Sequence, residues 1–444
     1  MYQEISQELL RFIADSPSCY HTVQTITDTL QRNGYTELSE SRPWILEPNG
    51  KYYVTRNRSS VIAFRVPKED FRGFMLTASH SESPCFKVKP NPEMPAEGCY
   101  VKLNIEKYGG MILSSWLDRP LSIAGRVMVE TPQGTEMRLV NIDRDLLVIP
   151  SLAIHMNRSV NDGYTLNPQK DMLPLFGDET AAGNFYELIA DAAGTTPDTI
   201  LGTDLFLYCR TPGSLWGNNR EYISSPRLDD LQCAFAALQG FLRGGHPHSL
   251  PVYCVFDNEE VGSGTKQGAK STFLSDTLRR INCGLGRSHA QYLQALASGF
   301  MLSADNGHAV HPNQPEKADP THRPVMNGGV MIKYNANQKY TTDAVSEAIF
   351  RKICKTAGVP VQAYVNRSDV PGGSTLGNLS TEKVSVNTAD IGLAQLAMHS
   401  AWETAGSKDT AYLCRAIQAF YSTSLTAQED GVYQIETLPL PAEA

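Results

Sequence analysis

No stretch of this chain reaches the roughly 18 uninterrupted apolar residues that a membrane-spanning helix requires. The opening Met-Tyr-Gln-Glu-Ile-Ser-Gln-Glu carries acids where a secretory leader needs bases. A helical membrane protein is thereby excluded, and the cytoplasm is the expected compartment. Also lacking is any excess of basic charge. The formal net charge is -8, which argues against nucleic acid or an anionic membrane as partner and leaves small molecules or peptides. Cys-x-x-Cys spacing is absent as well: nine cysteines are scattered and odd in number, the pattern of reduced, mostly buried thiols rather than of a disulfide framework. Internal repeats and low-complexity tracts are missing.

What is present is a chain of 444 residues with 41% hydrophobic and 19% charged residues, the composition of a folded globular protein and too long for one ordinary core. Two domains, one inserted into the other, are expected. The most informative stretch runs from Val252 to Thr265. Its apolar start, Val252 to Phe256, is short and rich in β-branched and aromatic residues, which predicts a strand covered on both faces, as in a parallel α/β sheet. It stops at Glu259 and Glu260, and ligands of such sheets gather beyond the carboxyl ends of the strands. Two adjacent acids can equally form a solvated loop.

The same design recurs. Phe74 to His80 is an apolar run ending in a histidine, Phe300 to Asp305 ends in a carboxylate, and Ala389 to His399 again ends in a histidine. Asp229 and Asp230 precede a predicted amphipathic helix with Leu231, Phe235, Leu238 and Leu242 on one face, where aspartates also serve simply as caps. Helices are further predicted over residues 5–13, 21–30, 184–193 and 410–421, the last closing the chain. Strands are predicted at 52–55 and 61–64, with a hairpin joining 126–130 to 137–141. Pro90 to Pro95 and Thr211 to Asn219 punctuate the chain heavily. They predict a catalytic domain of residues 1–91 and 216–444 with a mixed sheet, interrupted by a β-rich domain of residues 92–215.

His80, Asp229, Glu260, Asp305 and His399 together supply imidazole and carboxylate donors without thiolate, a set that suits zinc, cobalt or manganese. A carboxylate bridging two ions would hold them about 3.5–4 Å apart, as in two-metal hydrolases. Glu259 is then free to act as a base toward a water.

At these residues the chain resembles the aspartyl aminopeptidase family of cytosolic metallopeptidases. The likeness runs over nearly the whole length, through Ser16-Pro-Ser18, Tyr108-Gly-Gly-Met-Ile-Leu113, Trp116-Leu-Asp-Arg-Pro-Leu121, Ser225-Pro-Arg-Leu-Asp229, Phe256-Asp-Asn-Glu-Glu260, Asn366-Arg-Ser-Asp-Val-Pro-Gly-Gly373 and Ala397-Met-His-Ser400. The resemblance implies two zinc ions per subunit, with Asp229 bridging, His80 and Asp305 on one ion, Glu260 and His399 on the other, and Glu259 as general base. It also implies removal of an N-terminal Asp or Glu from peptides, with Lys333, Tyr340 and His308 near the substrate. It further implies a dimer through the inserted domain and a twelve-subunit particle, in which His155 reaches the neighbouring site to stabilise the oxyanion. Read without the family, Leu147 to His155 is an apolar run ending in a histidine at a strand end. Two departures stand out. Glu82 occupies the place of an aspartate that orients the ligand histidine, and Ala401-Trp-Glu403 replaces the usual ending in Arg-Glu. A dizinc hydrolase of N-acylated amino acids, or a silent assembly or cargo protein of the same fold, would share much of this sequence.

Overall fold

The computed structural model describes residues 2–440. The apolar run at Val252 lengthens into the strand Ser249–Phe256, every residue of which is buried. Its burial follows from its place inside a nine-stranded mixed sheet. It lies between Ser60–Arg65, to which it runs antiparallel, and Gly73–His80, to which it runs parallel. Phe300–Ala304 pairs in parallel with Gly73–His80, and Asn387–Gly392 in parallel with Phe300–Ala304. Parallel pairing sets the carboxyl ends side by side, with Phe256 opposite His80 and Ala304 opposite Ile391. The side chains that follow those ends therefore converge on one edge of the sheet.

Helices cover both faces. On one side Tyr2–Ala14, Leu228–Arg243, Ala344–Ala357 and Asp409–Tyr421 pack through Leu9, Phe12, Phe235, Leu238, Phe350 and Phe420. On the other, Phe273–Gly284 and His289–Ala297 pack through Phe273, Leu278, Ile281 and Tyr292 onto Phe64, Phe74 and Phe256. Each such fully buried side chain contributes about 1.5–3 kcal/mol from its removal from water.

A six-stranded antiparallel sheet holds a third hydrophobic cluster, built from Phe86, Ile105, Ile123, Val127, Leu205 and their neighbours. It contains the expected hairpin, with Leu121–Thr131 paired to Gly134–Asn141, and the short helix Phe185–Ala193 packs beside it. Its strands run from Cys85–Ala96 to Ile200–Cys209. Pro90 and Pro92 fall where the pairing of Cys85–Ala96 with Tyr100–Tyr108 shifts register between Val88 and Glu93. The prolines thus mark an irregularity within a strand instead of a linker, because a proline cannot donate to the ladder at that point. A five-stranded sheet, ordered Ser214–Trp216, Tyr222–Ser225, Glu403–Gly406, Ala394–Leu396 and Gly307–His308, carries the chain up to Asp229 and His399.

Two further expectations need correction. The helix Asp409–Tyr421 does not close the chain, since the hairpin Thr423–Glu429 and Val432–Thr437 follows it. His155 is not at a strand end: Leu147 and Val148 make only isolated bridges, and residues 151–164 form an exposed loop of turns.

Candidate metal centre

His80 is the last residue of the strand Gly73–His80 and is 1% exposed. Its Nδ1 hydrogen-bonds the backbone carbonyl of Glu82 at 3.0 Å. That bond puts a ring hydrogen on Nδ1 and turns Nε2 toward Asp229 Oδ1 at 3.7 Å and Asp305 Oδ1 at 3.8 Å. Asp305 directly follows the strand Phe300–Ala304, and its amide donates to Ile391 O. Gly392 permits this approach, since a Cβ there would collide with the Asp305 carbonyl oxygen. His399 follows the strand Ala394–Leu396 in a left-handed conformation, φ 65°. Its Nε2 lies 3.3 Å from Asp229 Oδ2 and 3.3 Å from Glu260 Oε1. The two oxygens of Asp229 therefore face different imidazoles.

Glu259 and Glu260 form a single short turn after the strand Ser249–Phe256, entered through Asn258 at φ 62°. Asp229 and Asp230 lie inside the helix Leu228–Arg243 with non-helical dihedrals, so they are turned away from capping it. Ser83 Oγ donates to the Asp229 carbonyl at 2.6 Å, and Asp230 Oδ2 accepts the His80 amide at 3.1 Å.

Electrostatics at this edge demand positive charge. Burial alone would lower the imidazolium of His80, but Asp229, Asp305 and Glu82 outweigh it and hold its proton well above the usual range. Burial likewise opposes protonation of His399, and Asp229 and Glu260 push it up to about 11. Burial, opposed by the imidazoles and aided by neighbouring acids, raises Glu259 well above an ordinary carboxyl and takes Glu260 to about 7. Asp229 stays low despite its burial, because the two imidazoles favour its charge. Protons on histidines are here balancing carboxylates that a divalent ion would balance better.

Donor geometry agrees. His80, Asp229 and Glu260 offer ligand atoms within 4.8 Å of one another, and so do His80, Asp230 and Asp305. Asp229 Oδ1 and Glu260 Oε1 are buried without a hydrogen-bond partner. Nitrogen and oxygen donors with free lone pairs, and no thiolate among them, fit zinc.

Comparison with known proteins decides the family. The description "Aminopeptidase I zinc metalloprotease (M18)" matches residues 12–421. A probable M18 family aminopeptidase 2 of Clostridium acetobutylicum is 47% identical over 427 residues, covering 94% of this chain and 99% of that protein. One from Pseudomonas aeruginosa is 40% identical over 433 residues, covering 96% and 99%. Among solved structures, a chain of the Ape4 and Nbr1 complex superposes with a TM-score of 0.91 at 36% identity, covering 95% of this chain and 86% of that one. The chain belongs to the M18 family. It is a zinc metallo-aminopeptidase, a hydrolase.

In this M18 enzyme a cleft of about 540 Å³ is lined by His80, Asp229, Glu259, Glu260, Asp305 and His399, and also by His308, Lys333 and Tyr340. Nine of the eleven residues singled out from sequence thus share one cavity wall. Lys333 is 1% exposed; its Nζ donates to the Asn306 carbonyl at 2.8 Å and lies 3.9 Å from Asp305 Oδ2. The Tyr340 ring lies 5.4 Å from that Nζ. Glu82 sits behind the wall. His155 is exposed in its loop and does not line the cleft.

Sequence reading passed over Asp230 as a donor and Glu403 as a partner. Asp230 was signalled only by adjacency to Asp229. Glu403 was marked only as the end of the Ala401-Trp-Glu403 departure, because its contacts are to backbone amides brought together by the five-stranded sheet. Trp402 has the Arg119 guanidinium 6.0 Å from its ring.

Proposed function

We propose that this enzyme removes a single N-terminal residue from peptides at a dinuclear zinc site. In this reading Asp229 would serve both ions, His80 and Asp305 would hold one, and Glu260 and His399 would hold the other. The carrying observation is that Asp229 presents one oxygen to His80 and the other to His399. Cobalt or manganese would be accepted by the same donors. Bound zinc supplies Lewis acidity to the scissile carbonyl and acidifies the attacking water.

The protein's own groups do the rest. Glu259 lies in the cleft with a carboxyl whose proton affinity is raised by burial and by neighbouring acids, which suits a group that takes the water's proton and returns it to the leaving amine. Glu82 holds the first imidazole in place. Lys333, Tyr340 and His308 bound the space for the N-terminal side chain, and the buried Lys333 cation favours Asp or Glu there. Asp305 already draws on that charge, so a broader preference is the second reading.

The inserted β-rich domain, whose sheet begins at the strand Cys85–Ala96, mediates a dimer, and dimers build a homododecamer in the cytoplasm. One relative is solved as the mApe1 dodecamer, TM-score 0.82 at 27% identity, covering 95% of this chain and 97% of that one. Leu152, Ile154 and Met156 are 56%, 51% and 74% exposed, an apolar loop tip suited to burial by a second copy, with His155 among them.

The test is a panel of Asp, Glu, Leu and Ala aminoacyl substrates with matched N-acyl amino acids, run on wild type and Lys333→Ala. Cleavage of aminoacyl substrates only, with loss confined to Asp and Glu in the variant, is expected. Turnover of N-acyl amino acids in their place would overturn the peptidase reading, and an equal loss on all four would remove Lys333 from specificity.

A further inference from the structure

Glu403 is a buried carboxylate, 2% exposed, that does not line the cleft. It belongs to the strand Glu403–Gly406, which pairs with Tyr222–Ser225 on one side and Ala394–Leu396 on the other. Ser225 lies opposite Glu403, and the chain leaves Ser225 for Asp229 just as it leaves Leu396 for His399. One side chain thus stands at the mouth of both connecting segments. Its Oε1 accepts the amide of His399 at 2.7 Å, and its Oε2 accepts the amide of Asp229 at 3.0 Å.

Both segments need such a hold. Arg227 has φ 57°, Ala397 φ 55° and His399 φ 65°, left-handed conformations that residues with a Cβ adopt only where their surroundings impose them. A carboxyl group taking one amide on each oxygen holds both with a single rigid group.

We propose that Glu403 is a positioning residue that clamps the backbones of Asp229 and His399 and so sets the separation of the donors that Asp229 shares between the two imidazoles. The proposal rests on the reading of Asp229 and His399 as metal ligands. Glu403 does not line the cleft but an adjoining cavity shared with Glu82 and Ser400, so it acts on the site through those ligands. Glutamine at this position can accept only one of the two amides, since its NH₂ confronts the other donor to donor.

The experiment is titration of zinc and of cobalt into metal-free full-length wild type, Glu403→Gln, Glu403→Asp and His399→Ala. Readouts are metal affinity by chelator competition, the visible spectrum of the cobalt form, and thermal unfolding in chelator. Glu403→Gln is expected to weaken metal binding about 10- to 100-fold, as loss of a ligand's supporting partner does, and to alter the cobalt spectrum. Glu403→Asp, which keeps the charge but withdraws it, should fall between Gln and wild type, and it carries the test if the Gln variant does not fold. Affinity and spectrum unchanged in folded Glu403→Gln or Glu403→Asp, with only metal-free stability lowered, would overturn the clamp. His399→Ala separates the two levels: if it keeps full metal stoichiometry and affinity, the ligand reading itself has failed.

Discussion

Glu82 reaches two parts of the site at once: its Oε2 lies 3.6 Å from Nδ1 of His80, while its Oε1 accepts the amide of Glu260 at 3.1 Å and the hydroxyl of Tyr108 at 3.2 Å. The hydrogen bond that fixes the His80 ring, however, goes to the Glu82 backbone carbonyl, which any residue supplies. The longer side chain is thereby free to brace Glu260. Glu82→Ala is expected to lower zinc affinity about 10- to 100-fold. Glu82→Asp should stay within a few-fold of wild type on the His80 side and lose the reach to Glu260 and Tyr108. Chelator competition on the two variants checks this, and equal affinity in Glu82→Ala would remove Glu82 from the support of the site.

Glu259 is the acid of the cleft left over once the donors are assigned. Glu259→Gln preserves its size and its place after the strand Ser249–Phe256 but removes the proton acceptor. Turnover should fall at least about 10²- to 10⁴-fold, the range of general acid-base catalysis, with zinc content equal to wild type by elemental analysis. Loss of zinc together with activity would instead make Glu259 a ligand.

Away from the cleft, burial and then the Arg227 charge lower the imidazolium of His21 to about 4, and its Nδ1 lies 2.8 Å from Ser18 Oγ. An unfolded histidine titrates near 6.5. Between about pH 6.5 and pH 4 the unfolded chain therefore binds the extra proton, so stability present above pH 6.5 is lost as the pH falls toward 4. At pH 4.5 the loss from this one group is about 2.5 kcal/mol. Urea unfolding of wild type and His21→Gln at pH 7 and 4.5 should show a smaller acid destabilisation in the variant; identical losses would mean that His21 carries its proton in the folded protein.

Much of the site was legible because its donors sit at strand ends, where an apolar run breaks off at a polar residue. His80, Glu260 and Asp305 each gave that local signal, and parallel pairing then placed them on one edge. Asp230 and Glu403 were not legible. Their parts depend on hydrogen bonds to backbone amides far away in sequence, 150 residues for Asp230 with His80 and 174 for Glu403 with Asp229, and no periodicity records such a pairing. The helices Phe273–Gly284, His289–Ala297 and Ala344–Ala357 were passed over, although the last two begin with capping boxes at Ser288 and Asp343. The final hairpin is alternately exposed and half-buried along Val432–Thr437, a weak pattern beside the helix that precedes it.

His155 poses a sharper question, because its exposure leaves it outside its own subunit's cleft. Leu152, Ile154 and Met156 surround it with apolar surface, which a neighbouring copy would remove from water. If that copy brings its own cleft to the loop, an imidazole N–H there can donate a hydrogen bond to the oxyanion forming on the attacked carbonyl, and His155→Ala should lose about 10²- to 10³-fold in turnover with zinc retained. Subunits carrying His155→Ala and subunits carrying Glu259→Gln are each expected to be nearly inactive alone. A mixed dimer contains one site with the Glu259 of the first and the His155 of the second, both intact. Co-refolding or subunit exchange, verified by differential tagging, should therefore restore activity in proportion to the mixed pairs. Verified mixed particles that stay inactive would confine each active site to a single chain.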